Sequence, residues 1–362
     1  MAEKSPSRPT KRQPITEFRE KSGSTEVVTG KDFRGITGRN MDKTRGISVF
    51  PPCQTDDIAY YVTMSDAQRE RRNPSPDRAM NANEMTFGVE IECTLPRTAM
   101  GRVSVGQYHV GTQIAELPTG WTAQRDGSLY AGRGRFAVEI VSPVLKGADG
   151  MQQLVQAVRW INSIGGSVNS TCGLHIHVGW NADKAALVRL MTIVANHEKG
   201  IYASTGTKTR ERNHYCRGVQ NDQRVRNEFS HNGTCRQDSR YAVLNTTNLG
   251  RRQNTVEFRA FAGTLNIAKI AGYVQMCVGL VQKAIEAKKV IKWVPKVTAE
   301  SSPIKKAGPG QTELNRLLFA LGWNKGRVNR VFGEIDRVEG CPARDTIKRK
   351  LMELATKYDS QP

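Results

Sequence analysis

Long apolar runs are missing from this sequence. Nowhere do roughly eighteen apolar residues follow one another, so no bilayer-spanning helix is expected. The opening residues Met1-Ala2-Glu3-Lys4-Ser5 lack the apolar stretch of a secretory signal. Cys-x-x-Cys pairs and zinc-finger spacings are missing too. The seven cysteines, odd in number and irregularly spaced, argue against a disulfide framework and for a reducing, cytoplasmic setting. No internal repeat occurs. A phosphate-binding P-loop is also missing: Gly206-Thr207-Lys208-Thr209 resembles the tail of one but lacks the upstream glycine and strand. Gly132-Arg133-Gly134-Arg135 reads as turn chemistry. Acidic residues are in deficit, 34 against 54 basic ones, for a net charge of +20. That balance favours anionic partners such as nucleotides, nucleic acid or acidic peptides. The excess is spread along the chain, which weakens the nucleic-acid reading.

What is there suffices for a sizeable core, with 362 residues of which 38% are hydrophobic and 24% charged. Composition divides the chain. Residues 1–45 read as a disordered basic arm, and 46–84 as an extension with a linker at Asn73-Pro74-Ser75-Pro76. The folded core spans 85–290, followed by a Pro/Ser/Lys-rich linker at 291–311. Residues 312–362 read as a short helical, basic C-terminal extension carrying Arg344, Lys348, Arg349 and Lys350. Helical periodicity marks Met151 to Ile164, stopped by Gly165-Gly166, then about Asp183 to Tyr202, and Ile267 to Ala287. His197 on the second helix reads as a core or surface residue rather than a ligand.

Chemistry concentrates in strands that alternate apolar and polar residues. In Cys172-Gly173-Leu174-His175-Ile176-His177-Val178-Gly179, Leu174, Ile176 and Val178 share one face and the two histidines the other. Such a pair suits a metal or phosphate site, and equally a pair of partly buried structural histidines. Phe87, Val89 and Ile91 alternate with Glu90 and Glu92. Two like charges on one strand face repel, an objection that a hard cation such as Mg²⁺ removes; a solvated acidic edge is the plainer alternative. A predicted hairpin spans 121–145, and its second strand carries Glu139, either exposed or aimed inward. In Asn254 to Phe261, Val256, Phe258 and Ala260 are expected on one face, with Thr255, Glu257, Arg259 and Phe261 on the other. Glu257 and Arg259 read either as an exposed ion pair, worth under about 1 kcal/mol, or as a metal ligand beside a phosphate clamp. The long polar, basic stretch 204–240 reads as a functional or mobile loop.

Taken in order, Gly88-Val89-Glu90-Ile91-Glu92, Asp126-Gly127-Ser128, Glu139-Ile140-Val141-Ser142-Pro143 and Cys172 to His177 resemble the amidoligase family. So do Arg212 to Cys216, Arg240-Tyr241 with Asn245, and Thr255-Val256-Glu257-Phe258-Arg259 with Gly263-Thr264. These are carboxylate–amine ligases akin to glutamine synthetase and glutamate–cysteine ligase, and the resemblance covers about residues 85–290. It implies an α+β fold with a glutamine-synthetase-like, curved, mainly antiparallel sheet, helices packed on one face and the site on the other. It also implies ATP, Mg²⁺ and amide formation through an acyl phosphate from small-molecule or peptide substrates. By the same resemblance, Glu90, Glu92, Glu139, His175 and Glu257 are metal ligands, with His175, Glu257 and Arg259 catalytic. Arg259 and Arg240 would bind nucleotide phosphates, and His177 would stand behind the ligands. Two other readings compete: a basic nucleic-acid-associated protein with a degenerate ligase core, and a zinc hydrolase using Cys172, His175 and His177. The basic ends would suit an acidic or nucleic-acid partner.

Overall fold

The structure, a computed structural model, describes residues 85–218, 239–251, 253–287, 308–323 and 338–362. The expected basic arm, the extension at 46–84, most of the 291–311 linker and the middle of the 204–240 stretch lie outside the described residues.

The sheet is built around β1 (Thr86–Pro96), whose alternation sends Phe87, Val89, Ile91, Cys93 and Leu95 into the core. β2 (Thr112–Gln113), β3 (Thr122–Gln124), β4 (Arg135–Val141), β5 (Leu145–Lys146), β6 (Gly173–Gly179), β7 (Leu244–Asn245) and β8 (Thr255–Ala262) complete it. The order is β2-β3-β4-β1-β6-β8-β7, with β5 pairing the start of β1. Every pair of these strands is antiparallel. The expected antiparallel α+β architecture is therefore present.

Helices cover the apolar face. α1 (Gly147–Ser163) buries Met151, Leu154, Val155, Val158 and Ile161 at helical spacing and ends before Gly165, whose φ of +81° suits a residue without a Cβ. α2 (Lys184–Ala203) is buried nearly all round because it lies between the sheet and a further helical layer. α3 (Ile267–Glu286) packs against α2 and β6. The outer layer is α4 (Pro309–Ala320) and α5 (Arg344–Asp359), which pack on each other and on the inner helices. α4 starts inside the stretch read as linker, because Pro309 pre-sets the first helical turn instead of breaking it. Asp359 of α5 then accepts from the free backbone N–H groups of Gly310 and Gln311 at 2.6 and 2.9 Å. Among the described residues no helix is long and apolar enough to cross a membrane.

One strand departs from simple alternation. β8 pairs Phe258 with Ile176 but Phe261 with Leu174, so Arg259 and Ala260 together oppose His175. This β-bulge turns Phe261 into the core, where it stacks on Tyr273 with ring centroids 4.2 Å apart. The expectation that Phe261 shares a face with Glu257 is therefore corrected.

α2 begins at Asp183, whose Oδ1 accepts from the Ala186 backbone N–H at 2.7 Å. Asp183→Ala is expected to cost about 1 kcal/mol. Chemical denaturation of the full chain measures it.

Candidate functional site

The face of the sheet away from the helices carries acids where most sheets carry neutral side chains. Register places Glu92 opposite Glu139 on β1 and β4, and Glu90 opposite His175 on β1 and β6. β8 adds Glu257, paired with His177. The four carboxyls and both imidazoles face one open cavity of about 700 Å³. Arg259 and Arg240 line the same cavity.

His175 is the hub. Its Nδ1 lies 3.0 Å from Glu90 Oε2 and 3.8 Å from Glu257 Oε1, and its Nε2 lies 3.6 Å from Glu92 Oε1. Two sets of potential metal ligands result, Glu90–His175–Glu257 and Glu92–Glu139–His175, each with its ligand atoms within 4.8 Å of one another. His177 joins neither: its Nε2 meets Glu90 Oε1 at 3.1 Å and its Nδ1 meets Thr255 Oγ1 at 3.0 Å. Cys172 falls on the core-facing side of its strand alternation, with its thiol on Asn169 Oδ1 at 3.6 Å. The zinc set Cys172/His175/His177 is thus not brought together among the described residues, because alternation separates the thiol from the imidazoles.

Three of the four acids have a dedicated support outside the histidines. The Gly173 N–H donates to Glu92 at 2.5 Å, the Gln124 amide to Glu139 at 2.5 Å and the Asn245 amide to Glu257 at 2.6 Å. Arg259 donates to the other oxygen of Glu257. The pair is buried, with side-chain exposures of 10% and 4%, so the exposed-pair reading does not hold. Arg210 in turn donates to the Arg259 carbonyl at 2.6 Å. The turn carrying Arg210 is held from outside: Lys208 N–H donates to Gln361 Oε1 at 3.0 Å and Gln361 Nε2 to the Gly206 carbonyl at 3.0 Å. Residues beyond α5 therefore brace the site.

Electrostatics follow from this crowding. Burial alone would push the Glu90 carboxyl up, but His177 and His175 outweigh it and hold it well below the usual range. Burial likewise opposes ionisation of Glu257, and His177 and Arg259 reverse that effect. Glu139 has no cation of its own, and burial together with the charge on Glu90 raises it to about 8. His177, despite burial, is raised to about 9 by Glu90 and Glu257. The cluster is thus short of positive charge beside Glu139. Oxygen donors with one imidazole, in a deficit of this sign, match a hard divalent cation such as Mg²⁺.

The cavity wall opposite the acids is aromatic and basic. Tyr215 stacks on His214 with centroids 4.2 Å apart and meets Tyr241 edge-on at 5.3 Å. Arg240 lies over Tyr241 at 5.6 Å and donates to the Tyr108 hydroxyl at 2.8 Å. Sequence reading singled out no role for Gln124, Arg210, Tyr108 or Tyr215. Strand register could have offered Gln124, which pairs Glu139 across β3 and β4. Tyr215 lies within the Arg212 to Cys216 stretch that carries the family resemblance, whereas nothing local marks Tyr108 or Arg210. His197 stands apart, buried in the helical layer, and burial pushes it down to about 3.

The family described as "Putative amidoligase enzyme" matches residues 83–281. No curated protein matches. Among solved structures, the bifunctional glutathione synthetase from Pasteurella multocida is similar, with a TM-score of 0.38 at 11% identity. That match covers 81% of this chain and 49% of the other, so the chain spans about half of that neighbour's length.

Proposed function

The chain belongs to the amidoligase family, and from that membership we propose that it is an ATP- and Mg²⁺-dependent carboxylate–amine ligase acting through an acyl phosphate. One observation carries the reading: four carboxyls converge on a single imidazole with a buried arginine beside them. A glutamine-synthetase-like arrangement is part of the proposal, supported by an antiparallel sheet with helices behind it and acids in front.

In this reading Glu90 and Glu257 would hold one Mg²⁺ and Glu92 and Glu139 another, with His175, whose neutral ring has one free lone pair, completing the shell of one of them. Bound Mg²⁺ supplies positive charge against the phosphate oxygens as negative charge builds on them. Arg259 offers its planar donor fork to the γ-phosphoryl group, and Arg240 stands further out on the wall for the remaining phosphates. A substrate carboxylate oxygen bonds to the γ-phosphorus as the bond to the β-phosphate oxygen breaks, releasing ADP. The amine then attacks the carbonyl carbon of the acyl phosphate, inorganic phosphate leaves, and the nitrogen gives up a proton. Gln124, Asn245 and the Gly173 N–H keep the acids oriented throughout. Carboxylate and amine are small-molecule or peptidic, the setting is cytoplasmic, and the basic ends serve an acidic or nucleic-acid partner.

An ATP-consumption screen across amino acids, polyamines and peptides, with mass detection of amides, tests this. ADP formed together with a new amide supports it. No ATP turnover, alongside a salt-sensitive gel shift with nucleic acid, would replace it with the degenerate-core reading.

Cation binding should also be linked to pH. Glu139 is protonated below about 8, so a cation bound there must expel its proton. Apparent Mg²⁺ affinity is therefore expected to rise by about fiftyfold from pH 6 to 8 and to level off above. Glu139→Gln should flatten that rise. Calorimetry in two buffers of different ionisation enthalpy reads the released proton directly.

A further inference from the structure

The charges that line the main cavity are sorted across the sheet. Arg240 and Arg251 flank β7 and Arg259 stands on β8, whereas Glu92, Glu139 and Asp126 lie toward β1, β4 and the turn after β3. Ser128, Ser170 and Thr171 add hydroxyls on the acidic side. The two loops that carry them touch, the Tyr130 N–H donating to Thr171 Oγ1 at 3.2 Å. A polyanionic nucleotide fits the arginine side. A second substrate must then meet its terminal phosphate at the boundary between the two.

Arg210 stands at that boundary. Its Nη2 lies 3.3 Å from the position a Cβ on Gly173 would take, and so do Glu92 Oε2 and His175 Nε2. The same nitrogen donates to the Arg259 carbonyl at 2.6 Å, which fixes it between β6 and β8. Unlike Arg259, this arginine has no carboxylate of its own. It is 6% exposed, forms no ion pair among the described residues, and its Nε lacks any hydrogen-bond partner. The Cys216 thiol beside it stays neutral, because burial pushes that thiol up more than Arg210 lowers it. Glu92, which shares the corner, accepts from the Gly173 N–H and in the ligase reading serves a cation. A guanidinium withdrawn from water without a counter-charge is costly, and an arriving anion removes that cost.

Resting on the ligase reading, we propose that Arg210 is a catalytic residue that binds the reacting carboxylate of the donor substrate. One carboxylate oxygen bonds to the γ-phosphorus, and Arg210 holds the other. When the amine attacks the acyl phosphate, the carbonyl π pair moves onto that second oxygen. Arg210 donates to the resulting oxyanion, and the pair returns to carbon as phosphate leaves.

The test follows melting of the full chain in saturating Mg²⁺ while acetate, the simplest carboxylate, replaces chloride at constant ionic strength. Inorganic phosphate is titrated in a second series. Acetate is expected to raise the melting temperature along a saturable curve, by about 2 °C or more. Arg210→Met keeps much of the length without the charge and should weaken apparent acetate affinity by about tenfold or more. Arg210→Lys keeps a cation in the same place, in case the first variant fails to fold, and should weaken acetate by about threefold or more. Phosphate, held by Arg259, should keep its affinity within about threefold in both variants. Acetate no better than chloride in the wild type, or acetate binding untouched by the substitutions, would overturn the assignment. Equal loss of phosphate and acetate would overturn it too, leaving Arg210 a residue that only positions Arg259. Failure of the ligase reading shows separately, as absence of Mg²⁺-dependent ATP turnover while the acetate response and its dependence on Arg210 persist.

Discussion

Arg259→Lys is expected to lower amide-forming turnover by about two to three decades, the loss of roughly 3 kcal/mol that accompanies removal of one well-placed transition-state donor. Lysine keeps the positive charge beside Glu257 but not the planar fork that spans two phosphate oxygens. Arg259→Ala adds a structural cost, because Arg259 is the buried partner of Glu257. Removing one member of such a pair leaves an uncompensated buried charge, worth roughly 3–5 kcal/mol. The two costs separate experimentally. If a cation shares Glu257, saturating Mg²⁺ should restore much of the melting temperature of Arg259→Ala while turnover stays low. Glu257→Gln behaves in the opposite sense, weakening apparent Mg²⁺ affinity as well as rate. Melting curves and amide formation across a magnesium titration distinguish them. Wild-type turnover in both arginine variants would remove the phosphoryl-clamp role.

The same residues show how far the sequence can be read. β1 is legible because its period-two pattern is unbroken from Phe87 to Leu95, and the pattern alone places Glu90 and Glu92 on one face. The β3–β4 hairpin and the three inner helices are legible for the same local reasons. β8 is not fully so. Its pattern continues through Phe261, yet the bulge at Arg259–Ala260 breaks the alternation, and only the partner strand reveals where the extra residue sits. The consequence is functional, since the bulge lies opposite His175 and re-aims the strand at the arginine of the site. The supporting shell was the least legible part. Gln124, Asn245 and Arg210 are common polar residues whose meaning comes from contacts across 15, 12 and 49 positions of chain. The bracing of Lys208 by Gln361, at a separation of 153, lies further still from any local pattern. The linker reading around 309–311 failed because Pro309 signals a break only within a helix, and at its first turn it signals a start.

His175→Ala is expected to weaken cation binding strongly, because its ring stands between both pairs of carboxylates and its one free lone pair completes the shell of one cation. Each carboxylate serves one set only, so Glu92→Gln or Glu257→Gln should weaken one cation and leave the other measurable. Losing the imidazole should lower apparent Mg²⁺ affinity by about a hundredfold or more and abolish detectable turnover, beyond the ten- to hundredfold typical of groups standing behind a ligand. His177→Ala supplies that comparison. It removes the partner of Glu90 and Thr255 without touching either ligand set, and should cost about tenfold. Stability falls as well. With the imidazole gone, Glu90, Glu92 and Glu257 face one another with less to separate their charges, so the metal-free variant should melt at lower temperature. Lowering the pH protonates Glu90 and Glu257 and should recover part of that loss, whereas the wild type, whose Glu90 and Glu257 titrate below the usual range, should lose stability as the pH falls through those values. Magnesium titrations followed by calorimetry, with melting temperatures at acidic and neutral pH, read both effects on the same samples. An unchanged Mg²⁺ affinity in His175→Ala would mean that the imidazole only spaces the acids apart, and its place as a metal ligand would have to be abandoned.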